Sequence, residues 1–286
     1  MANPYQGSVA IVTGGSSGIG RALCLELGRR GAFVTVADID EEGARKTVAA
    51  ILEAGGAAQS IILDVTDADA VERMVHEIDC SRGGIDYIFN NAGIGLSGEA
   101  IDLVRDHWRR IMEVNFFGVL HGTLAAYTAM AHRGTGHIVN MSSLAGFAPF
   151  VFNAPYTAAK FAVTGLTEAL RVEAEARGVK VTLVCPGIIR TPFYEAIEIV
   201  GTDPASYRAR LPRRLMSPER AAEIILRGVA AGKRRIIFPL HARLAWWAGK
   251  LAPFAIDAMN RRLVREFRHC RVAQRNISST HSISSP

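Results

Sequence analysis

Residues 9–20 read VAIVTGGSSGIG, a short apolar run that leads directly into a glycine-rich turn. The run has the length of a buried strand, and the residues after the turn have helical spacing. Glycines between a strand and a helix let the backbone turn sharply and approach a pyrophosphate, which the unpaired N–H groups of the helix start attract. Such a loop is a weak signal alone, but its place between strand and helix predicts a dinucleotide site.

The alternation of apolar runs and helical patterns continues from residue 8 to about residue 238. The apolar runs lie at 9–12, 33–37, 60–63, 87–89, 137–141, 180–184 and 235–238. Several are uniformly apolar, as is typical of parallel strands covered on both faces. We therefore expect a Rossmann-like α/β fold with a doubly wound parallel sheet of about seven strands. The expected organisation is one domain over residues 1–240, a basic amphipathic helical extension over 241–275 and a disordered tail over 276–286.

The composition argues against several classes of function. Of the 286 residues, 49% are hydrophobic and 21% are charged, which is ordinary for a globular protein with a buried core. The net charge is +6, but residues 233–286 hold eleven Lys or Arg and two acidic residues, so the main domain offers no basic groove for nucleic acid. The four cysteines form no C-x-x-C pair. We expect no metal site, no transmembrane span and a reducing, cytoplasmic location.

An acidic residue at the end of the second apolar run predicts the cofactor. Asp38 follows Gly14 by 24 residues, and an acidic side chain there accepts hydrogen bonds from the adenosine ribose and repels a 2′-phosphate. Ile39 and Asp40 are not basic, and the residue before Gly18 is a serine, so no cation could neutralise that phosphate. The pattern favours NAD over NADP, although Asp38 could instead cap the next helix.

A tyrosine and a lysine predict acid–base chemistry. Tyr156 and Lys160 are four residues apart at the start of a helical pattern, which places both side chains on one face. A free phenol has a pKa of about 10, and a nearby ammonium group lowers that pKa, so the pair can act near neutral pH. Ser143 lies thirteen residues before Tyr156, with Ser142 as a neighbouring alternative. Asn115 lies within a helical pattern, where asparagine is unfavourable unless it has a role.

With these motifs in this order, residues 8 to about 240 resemble the short-chain dehydrogenase/reductase superfamily, in the group with a T-G-x-x-x-G-x-G loop. The resemblance implies that Tyr156 donates or accepts the proton and that Lys160 holds the nicotinamide ribose and lowers the tyrosine pKa. It implies that Ser143 stabilises charge on the substrate oxygen. It also implies that Asn115 anchors a water relaying protons to Lys160 and that Thr191 holds the carboxamide. The cofactor contacts expected from the motifs are Gly14, Ser16, Ser17, Gly18, Ile19, Gly20, Asp38, Ile39, Asp64, Val65, Asn91, Ala92, Gly93, Tyr156, Lys160, Pro186, Gly187, Ile189 and Thr191.

The substrate is expected to be a lipophilic alcohol or ketone, such as a steroid, a retinoid or a fatty-chain hydroxy compound. Apolar residues near the catalytic serine and after Thr191 would form an apolar wall around a few polar groups, although ordinary core packing explains such residues equally well. The expected substrate contacts are Ser143, Ala145, Phe150, Tyr156 and Phe193.

Three other functions are compatible with parts of the pattern. An NADPH-type 3-ketoacyl reductase would share the catalytic residues, but Asp38 argues against it. A sugar-nucleotide epimerase or dehydratase would differ in loop spacing and carry a large substrate domain. A non-catalytic dinucleotide sensor would tend to lack the tyrosine or the lysine, and this chain has both Tyr156 and Lys160.

Assembly and the C-terminal segment complete the expectations. The helical patterns at 104–132 and 156–177 contain many small and apolar residues, and the resemblance implies that they pair across a two-fold axis in a homodimer or homotetramer. In the extension, Trp246 and Trp247 precede an amphipathic stripe of Ile256, Met259, Leu263 and Phe267. Two interpretations stay open: the extension docks on protein, or it lies peripherally on an anionic membrane surface.

Overall fold

The computed structural model describes residues 3–201, 215–252, 254 and 256–265. Its main sheet contains β1 (Val9–Thr13), β2 (Phe33–Asp38), β3 (Ala57–Ile62), β4 (Tyr87–Asn90), β6 (Gly136–Met141), β7 (Val179–Pro186) and β9 (Arg235–Phe238). A small parallel sheet pairs β5 (Leu96–Ser97) with β8 (Glu198–Ile199). The seven strands of the main sheet are parallel and run in the order β3-β2-β1-β4-β6-β7-β9. The predicted Rossmann-like α/β fold is confirmed.

The helices of the described residues cover both faces of this sheet. They are α1 (Gly18–Arg29), α2 (Glu41–Glu53), α3 (Ala68–Arg82), α4 (Arg105–Met112), α5 (Gly118–Arg133), α6 (Ala154–Glu175), α7 (Pro218–Ala230) and α8 (Leu240–Leu251), with residues 256–265 forming α9. Along β1, Val12 packs in the cluster with α1 and α7, and Ile11 packs in the cluster with α3 and α5. Burial on both sides is the physical reason that a central strand such as β1 is uniformly apolar.

The sheet order places a crevice at the end of β1. From β1 the chain builds outward through β2 and β3 on one side, and through β4, β6, β7 and β9 on the other. Where the winding direction reverses, the loops after β1 and β4 diverge, and open α/β sheets bind ligands in the crevice between such loops.

The single helix predicted near residues 104–132 is interrupted. A π-helical turn over Glu113–Phe117 joins α4 to α5. Such single turns hold one extra residue in the helix and occur often at functional sites. Asn115 lies inside this turn and is fully buried.

The C-terminal extension forms two helices, α8 and α9, that contact the main domain. Ala242 of α8 is fully buried, Ile256 of α9 is buried, and Asn260 Nδ2 donates a hydrogen bond of 2.9 Å to the Pro149 carbonyl. The predicted stripe does not dock as a whole, because Met259 is 45% exposed. Residues 266–275 of the extension, including Phe267, and the tail over 276–286 lie outside the described residues. No described helix is both long enough and apolar enough to cross a membrane.

Candidate active site

A cavity of about 1080 Å³ lies at the carboxyl ends of the strands, in the crevice beside β1. Nearly all residues predicted to contact cofactor or substrate, or to act in catalysis, line it. The exceptions are Gly20, Ala145 and Phe150, which are absent from its lining. The fold therefore brings residues from the ends of six strands, β1, β2, β3, β4, β6 and β7, to one cavity.

The glycine-rich loop forms a cradle at one end of this cavity. Gly14 has a φ of +67°, and a Cβ atom there would lie 2.9 Å from the Ala92 Cα. Gly20 lies inside the turn, where a Cβ atom would be 1.9 Å from the Gly14 carbonyl oxygen. Gly20 thus permits close packing of the loop on the helix and does not line the cavity. A side chain at either position would collide with the backbone that forms the cradle, so the loop could not keep the shape that a dinucleotide needs.

The first helix presents an open N-terminus to the cradle. α1 begins at Gly18, and its N-cap residue Ser17 makes no side-chain capping hydrogen bond. No acidic residue lies in the first turn. Unpaired N–H groups and the helix dipole at this end attract an anion, so the loop fits a pyrophosphate group.

Two residues hold the cradle in place. The Thr13 hydroxyl oxygen accepts hydrogen bonds from the backbone N–H groups of Asn91 at 3.0 Å and Ala92 at 3.1 Å. Asn91 Nδ2 in turn donates to the carbonyl oxygens of Thr13 at 3.0 Å and Gly14 at 3.1 Å. Thr13 was not among the expected site residues, although it begins the loop motif; its hydroxyl fixes the distance between the ends of β1 and β4.

Asp38 faces the glycine-rich loop. One carboxylate oxygen accepts from the Ser16 backbone N–H at 2.9 Å and the other from the Asp40 backbone N–H at 3.0 Å. The N-cap of α2 is Asp40, whose side chain accepts from the Gly43 backbone N–H. The alternative interpretation of Asp38 as the cap is therefore wrong. Its carboxylate retains further lone pairs that could accept from ribose hydroxyl groups.

Among the described residues, the elements next to Asp38 contribute no basic side chain to the cavity lining. Ile39 beside it is 68% exposed. In the described part of the chain, the basic residues that line the cavity are Arg109 and Arg110 of α4 and Lys160 of α6. None of them belongs to the elements that carry Asp38 and the glycine-rich loop.

Asp64 and Val65 line the same end of the cavity. The Asp64 carboxylate accepts from the backbone N–H of Thr66 at 2.9 Å and from its hydroxyl at 2.8 Å. The N-cap of α3 is Asp67, so Asp64 does not cap that helix. The Val65 carbonyl oxygen lies 3.0 Å from His121 Nδ1, which fixes the loop after β3 against α5.

Tyr156 and Lys160 lie together on α6. The Lys160 Nζ is 5.7 Å from the centroid of the Tyr156 ring and donates a hydrogen bond of 3.0 Å to the Met141 carbonyl. Lys160 is 3% exposed, and this burial lowers its pKa from 10.5 to about 8. The Tyr156 ring lies 6.1 Å from the ring of Phe193, which is one of the predicted substrate residues.

The two serines after β6 make different contacts. The buried Ser142 hydroxyl donates to the Lys160 carbonyl at 3.0 Å and lies 3.0 Å from the Thr164 hydroxyl, so it ties β6 to α6. The Ser143 oxygen accepts from the Ala145 backbone N–H at 3.1 Å and lines the cavity. Since that N–H uses one lone pair, the Ser143 hydroxyl hydrogen remains able to point at a substrate oxygen.

Asn115 fixes the loop that follows β4. Its Oδ1 accepts from the Ile94 backbone N–H at 3.1 Å, and its Nδ2 donates to the Ile94 carbonyl at 3.0 Å. A Cβ atom placed on Gly93 would lie 2.7 Å from this Oδ1 and 3.7 Å from the Lys160 Nζ. Asn115 and Lys160 therefore both lie close to Gly93, and Asn115 reaches this position from the π-helical turn.

Two of the predicted substrate residues lie outside the cavity. Ala145 is 4% exposed and lies in the short turn Leu144–Gly146 that follows β6. Phe150 packs with Leu144, Ala148 and Ala242 of α8. The expectation that Phe150 lines the substrate cavity is not met, because α8 covers the surface on which it lies.

The outer part of the cavity contains residues that the sequence patterns did not indicate. Arg109 and Arg110 of α4, Glu113 of the π-helical turn and Glu198 of β8 line it. Arg110 forms an ion pair with Glu198, and His107 Nε2 lies 3.3 Å from the same carboxylate. These contacts join segments about ninety residues apart, and no local pattern in either segment indicates the partner.

Comparison with known proteins agrees with this geometry. The family model described as short chain dehydrogenase matches residues 8–199. The chain is 39% identical to a Mycobacterium tuberculosis protein named oxidoreductase SadH over 244 residues, covering 84% of this chain and 88% of that protein. It is 34% identical to a cyclohexanol dehydrogenase of an Acinetobacter species over 229 residues, covering 79% and 88%.

Solved structures show the same fold. A short chain dehydrogenase/reductase from Burkholderia phymatum, crystallised in complex with NAD, is 26% identical with a TM-score of 0.77, covering 82% of this chain and 90% of that one. The family match spans more than half of the chain, and the family binds nicotinamide dinucleotides. This protein is an oxidoreductase of the short-chain dehydrogenase/reductase superfamily.

Proposed function

We propose that this protein is an NAD-dependent alcohol dehydrogenase or ketone reductase that acts on a lipophilic substrate. The observation that carries the proposal is the position of the Tyr156–Lys160 pair, which lines the same cavity as the glycine-rich cradle. A proton-transfer group and a dinucleotide site in one space are what the interconversion of an alcohol and a ketone requires.

The residues present fit a nicotinamide dinucleotide. The cradle of Gly14 and Gly18 and the open start of α1 would hold the pyrophosphate. Asp38 would bind the adenosine ribose, Lys160 the nicotinamide ribose, and Thr191 the carboxamide. When bound, the nicotinamide supplies hydride exchange with a carbon atom of the substrate.

Tyr156 would exchange the proton of the substrate oxygen. The Lys160 ammonium, held near the phenol ring by its hydrogen bond to the Met141 carbonyl, favours the phenolate through its charge. The Ser143 hydroxyl, oriented by the Ala145 N–H, would donate a hydrogen bond to the same substrate oxygen. Asn115 would keep the loop at Gly93 and Ile94 in position beside Lys160, where the expected water relay would run.

We propose NAD as the cofactor because of the charge around Asp38. A 2′-phosphate on the ribose would face this carboxylate, and no basic residue of the neighbouring elements lines the described cavity. The NADPH-type ketoacyl reductase would need such a cation.

The lipophilic substrate class rests on the apolar side chains near Tyr156. Phe193 and Ile94 line the cavity there, and Phe193 contacts the Tyr156 ring. Apolar walls around a few polar groups are typical of sites for apolar ligands. One relative is named cyclohexanol dehydrogenase, and cyclohexanol is a secondary alcohol on an apolar ring. That name agrees with a lipophilic alcohol as the substrate class.

Calorimetric titration of NAD and NADP tests the cofactor. We expect NADP to bind at least about tenfold more weakly, which corresponds to about 1.4 kcal/mol. Asp38→Asn should narrow this difference by removing the negative charge. Asp64→Asn is the matched control, since it removes a carboxylate from the same cleft and should affect both cofactors equally. Equal affinity of the wild-type protein for NAD and NADP would disprove the proposed specificity.

A screen of cyclic, steroid and fatty-chain secondary alcohols tests the reaction and the substrate class. NADH absorbance reports oxidation, and Tyr156→Phe serves as the inactive control. If no member of the screen is turned over by the wild-type protein while NAD binds tightly, the sensor interpretation is favoured over the enzyme.

A further inference from the structure

The C-terminal helix α8 has two different apolar faces. One face carries small residues and packs on the main domain: Ala242 is fully buried, and Ala245 packs in the same cluster with Phe147 and Phe150. A Cβ atom on Gly187, which lines the active-site cavity, would lie 3.2 Å from the Ala242 Cβ. The small face therefore anchors α8 beside the cavity wall.

The opposite face of α8 carries large apolar side chains that point into solvent. Leu240, Leu244, Trp247 and Leu251 are 66%, 61%, 51% and 75% exposed. They recur at spacings of four, three and four residues, so they form one continuous ridge along the helix. Phe254, just beyond the end of α8, is 71% exposed. We name Leu240, Leu244, Trp247, Leu251 and Phe254 together the α8 ridge. Contiguous exposed apolar side chains of this kind are typical of interaction surfaces.

Exposed basic residues lie on both helices of the C-terminal extension. Arg243 of α8 and Arg261 and Arg265 of α9 are exposed. From residue 240 to the end, the chain has eight Lys or Arg and two acidic residues. The partner of this surface must therefore combine an apolar interior with negative charge at its boundary.

We propose that α8 and its basic flank dock in the headgroup region of an anionic lipid bilayer. A helix lying in the membrane plane inserts an apolar ridge between the lipids while arginines bind acidic headgroups. Tryptophan suits this depth because its ring is apolar and its N–H is polar. The docking does not depend on the proposed function, but it would place the wall at Gly187 near the source of a lipophilic substrate.

A second copy of the chain fits this surface less well. A two-fold contact through the α8 ridge would bring the same patch of each copy together. The exposed arginines of one copy would then approach those of the other, with Asp257 as the acidic residue of the described extension. Repulsion between these like charges opposes that contact, whereas acidic lipid headgroups would pair with the arginines.

Vesicle sedimentation of the full-length protein tests the proposal. The vesicles contain phosphatidylglycerol and phosphatidylcholine at about 1:3, and a second preparation contains phosphatidylcholine alone. We expect sedimentation with the acidic vesicles at low salt, weakened at least about tenfold by high salt or by neutral lipid. Trp247→Glu should weaken binding to acidic vesicles at least about tenfold, because a carboxylate would enter the apolar layer.

Leu52→Glu is the matched control, since Leu52 on α2 is 52% exposed and Trp247 is 51% exposed. This control should bind as the wild type does. Leu244→Glu provides a second variant on the same ridge, and circular dichroism checks that each variant is folded. The proposal is overturned if the wild-type protein stays in solution at low salt, or if Leu52→Glu and Trp247→Glu weaken binding equally. It is also overturned if Trp247→Glu changes the oligomeric state while the wild type binds no vesicle.

Discussion

Lys160 is expected to destabilise the folded protein at neutral pH, because its ammonium group is removed from water. The side chain is 3% exposed, and burial lowers its pKa from 10.5 to about 8. Since one pKa unit corresponds to about 1.4 kcal/mol, the charged form costs the folded state about 3 kcal/mol. Lys160→Met removes this cost and keeps the length of the side chain. It also leaves the Met141 carbonyl without its donor, at a cost of about 1 to 3 kcal/mol.

The pH dependence separates these two contributions. A lowered lysine pKa means that the penalty is complete below pH 8, where the group is charged in both states. The penalty declines as the pH rises from 8 to 10.5, because the folded protein releases the proton first, and it is absent above that range. Between pH 7 and pH 10, the unfolding free energy of the wild type should therefore rise relative to Lys160→Met by about 2 to 3 kcal/mol.

Urea denaturation of both proteins at several pH values measures this difference. Lys180→Met, at an exposed position of β7, is the control, and we expect no comparable shift because solvent screens an exposed charge. A stability difference between wild type and Lys160→Met that does not change with pH, or that changes in the opposite direction, would refute the reasoning.

Three further predictions concern catalysis and assembly. Tyr156→Phe should lower turnover by about 10² to 10⁴-fold and leave NAD binding nearly unchanged, because only the proton-transfer group is lost. Ser143→Ala should lower kcat by about 10² to 10³-fold with little change in KM, whereas Ser142→Ala should lower the unfolding free energy by about 1 to 3 kcal/mol because it releases the contact between β6 and α6. Leu124→Glu and Phe161→Glu should raise the monomer fraction in light scattering, since these side chains are 49% and 42% exposed on the helices expected to pair.

Each of these predictions has a contradicting result. Wild-type turnover in Tyr156→Phe would exclude the assigned proton transfer. Equal effects of Ser143→Ala and Ser142→Ala on kcat would contradict the assignment of Ser143 to catalysis and Ser142 to structure. A wild-type protein that is monomeric at micromolar concentration would contradict the expected assembly, and Leu52→Glu controls for the added charge.

Much of the fold followed from local pattern. All seven apolar runs became strands of the main sheet. The pattern is clearest in central strands such as β1, because residues packed on both faces leave a uniformly apolar sequence. The glycine-rich loop could also be predicted from the sequence. Only glycine fits at position 20, because a Cβ atom there would lie 1.9 Å from the Gly14 carbonyl oxygen. The spacing of Tyr156 and Lys160 likewise follows from helix geometry alone.

Long-range packing decided the rest. The ends of β1 and β4 meet through Thr13 and Asn91, which are 78 residues apart in the chain. Ser142 and Ser143 are neighbours with the same chemistry, and only the packing of α6 separates the hydroxyl that binds the Lys160 carbonyl from the one that lines the cavity. A local pattern does not contain such information, because it depends on which elements become neighbours.

The C-terminal extension shows the same division most clearly. Its sequence determined that residues 240–265 would be largely helical, apolar and basic, since helix spacing and charge are local properties. It did not determine which apolar residues would face the domain. In the tertiary structure, the small residues around Ala242 pack against Phe150, and the large side chains of Leu244 and Trp247 remain in solvent. The close approach of α8 to the domain is the physical reason, because a Cβ atom on Gly187 would lie only 3.2 Å from the Ala242 Cβ, which leaves room for a small side chain there.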